Sequence, residues 1–127
     1  MINTFETYIE VKSSNIHGKG LFTNKFIPKG QAIMIISGEV IDEQECIRRE
    51  EENNVYIFWN GDSYIDTSKT EKIKYINHNC DFNCEVLDRD EISLLLVAYK
   101  DINNGEELTI DYGYEEIYKT CGCSLCA

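Results

Sequence analysis

The chain has 127 residues, 43% hydrophobic and 28% charged, which suits one domain around one modest core. No apolar run approaches the roughly 20 residues that span a bilayer, and Met1-Ile2-Asn3-Thr4-Phe5-Glu6 lacks the basic-then-apolar order of a secretory signal, so an intracellular protein is expected. The net charge of −11 argues against direct nucleic-acid binding and suits a basic partner, although solubility alone would also account for it.

Tyr8-Ile9-Glu10-Val11-Lys12 alternates as a strand does. Ser13 to Gly20 reads as a loop ending in Gly18-Lys19-Gly20, and Leu21-Phe22-Thr23 resumes extended structure. Pro28-Lys29-Gly30 is a turn, and Ala32-Ile33-Met34-Ile35-Ile36-Ser37 a buried strand broken by Gly38. Asp42 with Glu45 three residues on resembles a capping pair opening a helix that runs to about Glu52. Val55 to Trp59 and Tyr64-Ile65-Asp66 are strands around the hairpin turn Asn60-Gly61-Asp62. A short helix is expected within Thr67 to Ile76. Glu85-Val86-Leu87 and Ile92 to Tyr99 pair around the polar turn Asp88-Arg89-Asp90. Asn103-Asn104-Gly105 turns into a strand from Glu107 to Asp111, and Tyr114 to Lys119 forms one helical turn. Short strands and frequent turns give a mostly β domain.

The C-terminal Cys121-Gly122-Cys123-Ser124-Leu125-Cys126 packs three of the six cysteines into six residues. Neighbours that close are awkward disulfide partners and good chelators, and they leave tetrahedral zinc one ligand short. Cys80 could supply the fourth; Cys84 is a substitute, and Cys46 reads as a small apolar core residue. Gly18-Lys19-Gly20 permits close approach of a ligand, or is an ordinary turn. Asn77-His78 offers donors and acceptors suited to an adenine edge or a carboxylate, or is a pair of satisfied loop residues. Tyr112 could orient a nucleophile, or plug the core.

Taken together, the series Gly18-Lys19-Gly20-Leu21-Phe22, Gly38-Glu39, Tyr64-Ile65-Asp66, Tyr75-Ile76-Asn77-His78-Asn79-Cys80-Asp81-Phe82-Asn83 and Gly105-Glu106-Glu107-Leu108-Thr109-Ile110-Asp111-Tyr112-Gly113 resembles the SET domain of protein lysine methyltransferases over residues 8–127. The terminal cysteine motif is similar to a post-SET zinc motif. The resemblance implies residues 1–113 as the SET domain and 114–127 as a post-SET zinc segment. It implies a fold of small β-sheets with a knot-like C-terminal crossing of the Asn77 and Tyr112 segments. S-adenosylmethionine would meet the backbone of Gly18, Lys19 and Gly20, together with Asn77 and His78, and Leu125 would help to cover it. Tyr112 would be the catalytic tyrosine. Cys80, Cys121, Cys123 and Cys126 would hold a structural zinc ion beside the lysine channel. A basic protein substrate, with a histone tail favoured, and a nuclear or chromatin location follow by the same resemblance. A catalytically idle SET module that binds a basic segment, and methylation of a non-histone protein, stand as alternatives, and specificity would come from the domain's own groove or from a homodimer partner.

Lys74-Tyr75-Ile76-Asn77-His78-Asn79-Cys80 departs conservatively from the family's usual Arg-Phe-Ile-Asn-His-Ser-Cys, and Phe82 replaces a frequent proline. Ile110 stands where many relatives carry an aromatic residue that limits methylation state, so di- or trimethylation is expected. Tyr56, Phe58, Trp59 and Tyr64 are candidate channel aromatics, with core packing as the ordinary alternative.

Overall fold

Among the described residues, ten short strands and one helix build the fold. The computed structural model describes residues 4–16, 18–54, 56–79 and 81–110. In chain order the elements are β1 (Ile9–Ser13), β2 (Lys19–Thr23), β3 (Ala32–Ile36), β4 (Glu39–Ile41), helix α1 (Glu43–Glu51), β5 (Ile57–Asn60), β6 (Ser63–Asp66), β7 (Asn77–His78), β8 (Cys84–Asp90), β9 (Ser93–Ala98) and β10 (Glu107–Ile110). Single 3-10 turns precede β1 (Glu6–Tyr8) and β7 (Ile73–Tyr75). The strands form three small sheets, in the orders β1-β2-β10-β7, β3-β9-β8 and β4-β6-β5. The expected mostly β fold of small sheets is the one observed; the residues that would form the knot-like crossing lie partly outside those described. Among the described residues no helix is long and apolar enough to cross a membrane.

The near-continuous apolar runs Ala32-Ile33-Met34-Ile35-Ile36 and Ser93-Leu94-Leu95-Leu96-Val97-Ala98 pair antiparallel, and both are largely buried. Leu21, Ile27, Ile36, Ile65, Leu96 and Leu108 are wholly buried and join the sheets in one core. Each such side chain contributes about 1.5–3 kcal/mol by leaving water. Two segments expected as loop or turn are strand. Lys19 and Gly20 belong to β2 rather than to a loop, because the β1–β2 hairpin extends through Gly20↔Lys12 and Lys19↔Ser13. Asp88, Arg89 and Asp90 lie in β8, and the turn is Glu91-Ile92. Polar residues look like a turn in sequence, but here they form the exposed end of a hairpin. Asp90 Oδ1 closes its tip by accepting the Ile92 N–H at 3.0 Å and the Ser93 hydroxyl at 2.7 Å.

Helix α1 has a different anchor. The expected cap is present: Asp42 Oδ1 accepts the Glu45 N–H at 2.8 Å, a contact of about 0.5–2 kcal/mol. Glu45 does not return the bond; its carboxylate accepts from Arg48 and Arg49. Only Cys46 is buried on the helix, in a small cluster with Ile41 and Ile57, as expected for a packing cysteine. Charge supplies the rest. Arg49 donates to Glu39 on β4, Glu45 on its own helix and Asp66 on β6, at 2.7–2.9 Å. Asn54 also donates to Asp66 at 2.9 Å.

This hub predicts an acid limb of unfolding. Hydrogen bonds from Arg48 and Arg49 hold the Glu45 carboxyl at about 2, below its ordinary 4.5, and Arg49 lowers Glu39. Burial alone would raise Asp66, but the Ser68 backbone and Arg49 outweigh it and its value is lowered. Carboxyls depressed by folding contribute stability above their unfolded values, and that stability is lost as pH falls through the folded ones. Urea midpoints should therefore fall from about pH 4.5 towards about pH 2. Arg49→Met should start less stable at pH 7 and show a shallower acid slope; an unchanged slope would contradict the hub.

Candidate cofactor cradle at the junction of three strands

β10 lies between β2 and β7. It runs antiparallel to β2, with Leu108 opposite Leu21, and parallel to β7, with Thr109 opposite Asn77 and Ile110 opposite His78. Leu108 and Ile110 point into the core, so strand alternation turns Glu107 and Thr109 to the other face. The buried Asn83 side chain fastens that face: its Nδ2 donates to Glu107 O at 2.8 Å and its Oδ1 accepts the Thr109 N–H at 2.9 Å. An amide can satisfy a strand's N–H and C=O as a neighbouring strand would. Asn83 closes the Asn-His-x-Cys-x-x-Asn motif in sequence, and this is its work in the fold.

This insertion brings two distant candidates together. Asn77, 8% exposed, directs Nδ2 at Lys19 O (3.1 Å), Ser14 Oγ (3.2 Å) and Glu107 Oε2 (2.8 Å). The Ser14 hydroxyl in turn donates to the Glu107 carboxylate, at 2.8 and 2.9 Å to its two oxygens. A Cβ on Gly20 would overlap Glu107 Oε2, so glycine is what permits this close approach. Gly18 has φ of 44°, and no atom of the described residues lies within 4 Å of where its Cβ would stand. The segment thus shows bare backbone to open space at Gly18 and packs against polar side chains at Gly20. Lys19 Nζ and Lys74 Nζ lie 5.8 and 5.0 Å from the centre of the Tyr75 ring.

Of the expected site residues, Gly18, Lys19, Gly20, Asn77 and His78 fall in one region, with His78 half-buried beside Ile110. Tyr112, Leu125, Cys80, Cys121, Cys123 and Cys126 lie outside the described residues, as does the expected helical turn from Tyr114 to Lys119. Among the described residues no three His, Cys, Asp or Glu side chains cluster as metal ligands. Cys84 is fully buried, its thiol 3.3 Å from Asn83 Oδ1, and burial pushes its pKa up to about 12. Among the described residues it packs in the main core. Of the four candidate channel aromatics, Phe58 and Tyr64 pack against the two cores, whereas Tyr56 and Trp59 are exposed.

Glu107 and Ser14 are the residues that reading the sequence passed over. Glu107 carries one signal, a carboxylate opening an apolar strand immediately after a turn. Ser14 carries none, because its importance rests wholly on what it meets.

The model of the SET domain family matches residues 18–113. The chain is 31% identical to the histone-lysine N-methyltransferase trithorax of Drosophila virilis, over 97% of this chain and 4% of that protein. It is 39% identical to the histone-lysine N-methyltransferase Set2 of Drosophila melanogaster, over 76% of this chain and 5% of that protein. Among solved structures, a chain of an active polycomb repressive complex 2 in its basal state superposes with a TM-score of 0.73 at 30% identity, covering 83% of this chain and 15% of that one. The present chain therefore spans only a small part of the length of these proteins.

Proposed function

The chain belongs to the SET domain family, and on that premise we propose that it is a protein lysine N-methyltransferase that uses S-adenosylmethionine, with a histone tail as its favoured substrate and the nucleus or chromatin as its place of work. The observation that carries this reading is the Asn77 Nδ2 to Lys19 O contact at 3.1 Å. It joins the two segments to which the family motif assigns the cofactor. The net charge of −11 adds support for a basic substrate. So does a cleft of about 650 Å³ between the β5–β6 and β8–β9 hairpin tips, where Asp62, Asp88, Asp90 and Glu91 outnumber Arg89.

The residues present fit the cofactor. Gly18 leaves backbone open to a close ligand, and the buried Asn77 amide is held in one orientation by three acceptors. Bound S-adenosylmethionine would supply a methyl group activated on a positively charged sulfonium. The chain's own task is to present a neutral lysine amine in line with it. With a reference pKa of about 10.4, deprotonating that lysine at pH 7 costs roughly 4.6 kcal/mol. A narrow apolar channel reduces the cost by disfavouring the ammonium form, and the proton leaves to solvent. Tyr112 then orients the amine, and alignment contributes more than acid–base assistance.

Tritiated methyl transfer to mixed histones tests this reading. Wild-type protein should label them, and Tyr112→Phe should be slower by about 100-fold or more, the scale of a misplaced reacting group. A folded wild-type protein that binds basic peptides yet transfers no label would leave the idle-module reading instead.

Ile110 refines the expected product. It is buried, two residues before Tyr112, and has no hydroxyl to hold a water beside the amine. Di- or trimethyl-lysine should accumulate, as read by mass spectrometry; only monomethyl product at saturating cofactor would contradict it.

A further inference from the structure

Glu106 and Glu107 are adjacent and do unlike things. Glu106 Oε1 accepts the Asn103 N–H at 3.0 Å and closes the exposed turn before β10. Glu107 turns inward. Its carboxylate takes the Ser14 hydroxyl and the Asn77 amide, and it forms no ion pair among the described residues. A carboxylate fixes the direction of each donor it holds, since it can only accept.

Two consequences follow. The Asn77 amide has donors at one end and an acceptor at the other. Because Nδ2 faces Glu107, Lys19 O and Ser14 Oγ, the acceptor Oδ1 must face away from them. A flipped amide would set oxygen against three acceptors. Ser14 meanwhile hangs its loop on the same carboxylate: its Oγ accepts the Ile16 N–H at 3.0 Å, and Ser14 N donates to Gly18 O at 2.8 Å. One side chain on β10 therefore sets both the turn that carries Gly18 and the orientation of Asn77.

We propose that Glu107 is a positioning residue whose carboxylate holds the Gly18 turn and the Asn77 amide in one frame, and so governs how tightly S-adenosylmethionine binds without touching it. This rests on the methyltransferase reading above.

Calorimetric titration of S-adenosylmethionine into the full chain tests it, alongside exchange rates of the Asn77 side-chain amide protons by NMR. Glu107→Ala should weaken binding by about tenfold or more, the scale of a lost hydrogen bond to a charged group. In turnover the effect should fall on KM for the cofactor more than on kcat. Glu107→Gln keeps an acceptor for Asn77 and a polar partner for Ser14, and should stay within about threefold of wild type. Glu106→Gln should match wild type. The proposal is overturned if Glu107→Ala binds as tightly as wild type, or if Gln is as poor as Ala. Should Glu107→Ala fail to fold, Ser14→Ala decides: binding weaker by about threefold or more supports the frame, and unchanged binding overturns it. If the wild-type chain itself binds no S-adenosylmethionine, the methyltransferase reading falls and amide exchange alone decides the frame. Slow exchange in wild type that quickens in Ser14→Ala or Glu107→Ala supports it, and equal rates overturn it.

Discussion

Asn77→Asp is expected to lower the unfolding free energy at pH 7 by about 3 kcal/mol and to abolish binding of S-adenosylmethionine, although it displaces no carbon atom. The substitution replaces the Nδ2 donor by an oxygen. Around that atom stand Lys19 O, Ser14 Oγ and Glu107 Oε2, the last at 2.8 Å. The Ser14 proton already points to Glu107. The new carboxylate would face another carboxylate with little water between them, and the two would share a proton rather than both ionise. The sign with pH follows. The added group would have its folded pKa raised, so its cost is least below about pH 3.9 and grows as pH rises through the raised value. Asn77→Ala should cost less, about 1.5–3 kcal/mol, and show no such pH dependence. Urea unfolding at several pH values separates the two variants. An Asp variant as stable as wild type at neutral pH would mean that the amide nitrogen does not face Glu107.

Removal of the proposed zinc ion is expected to take methyl transfer below detection while the β core of the described residues stays folded. The proposed donors Cys80, Cys121, Cys123 and Cys126 would act as four thiolates, a set suited by charge and softness to tetrahedral zinc. The main core formed by the described residues runs from Ile9 to Ile110. Binding of a structural zinc ion is worth about 10–16 kcal/mol in small zinc domains, so a segment that relied on it would fail as a unit when it left. A strong chelator should therefore abolish transfer with far-ultraviolet dichroism largely retained. Cys80→Ser should resemble Cys121→Ser in both respects. Full activity in Cys80→Ser would remove Cys80 from the ligand set, and collapse of the whole domain on chelation would show the core to depend on the ion.

Much of the architecture was legible locally. The apolar runs of β3 and β9, the Gly61-Asp62 hairpin and the Asp42 cap each follow from periodicity or turn chemistry within a few residues. The misreadings share a cause. Lys19-Gly20 and Asp88-Arg89-Asp90 look like turns because they are polar or glycine-rich, yet antiparallel partners extend the strands through them. Two-residue β7 has no periodicity to detect; its parallel partner β10 makes it a strand.

The site divides in the same way. The order and identity of Gly18-Lys19-Gly20, Asn77-His78 and Gly105 to Tyr112 are enough to name a family and to nominate a cofactor cradle, because chemistry restricts which residue types can serve there. Which of those residues touch is a different kind of fact. Asn77 meets Lys19 across 58 positions and Glu107 across 30, and both meetings exist because β10 slots between β2 and β7. In sequence, only its place directly before the apolar strand separates Glu107 from Glu106. Tertiary packing alone turned one carboxylate to solvent and closed the other over Ser14 and Asn77, because strand alternation assigns each residue a face and only the neighbouring strands decide what that face meets.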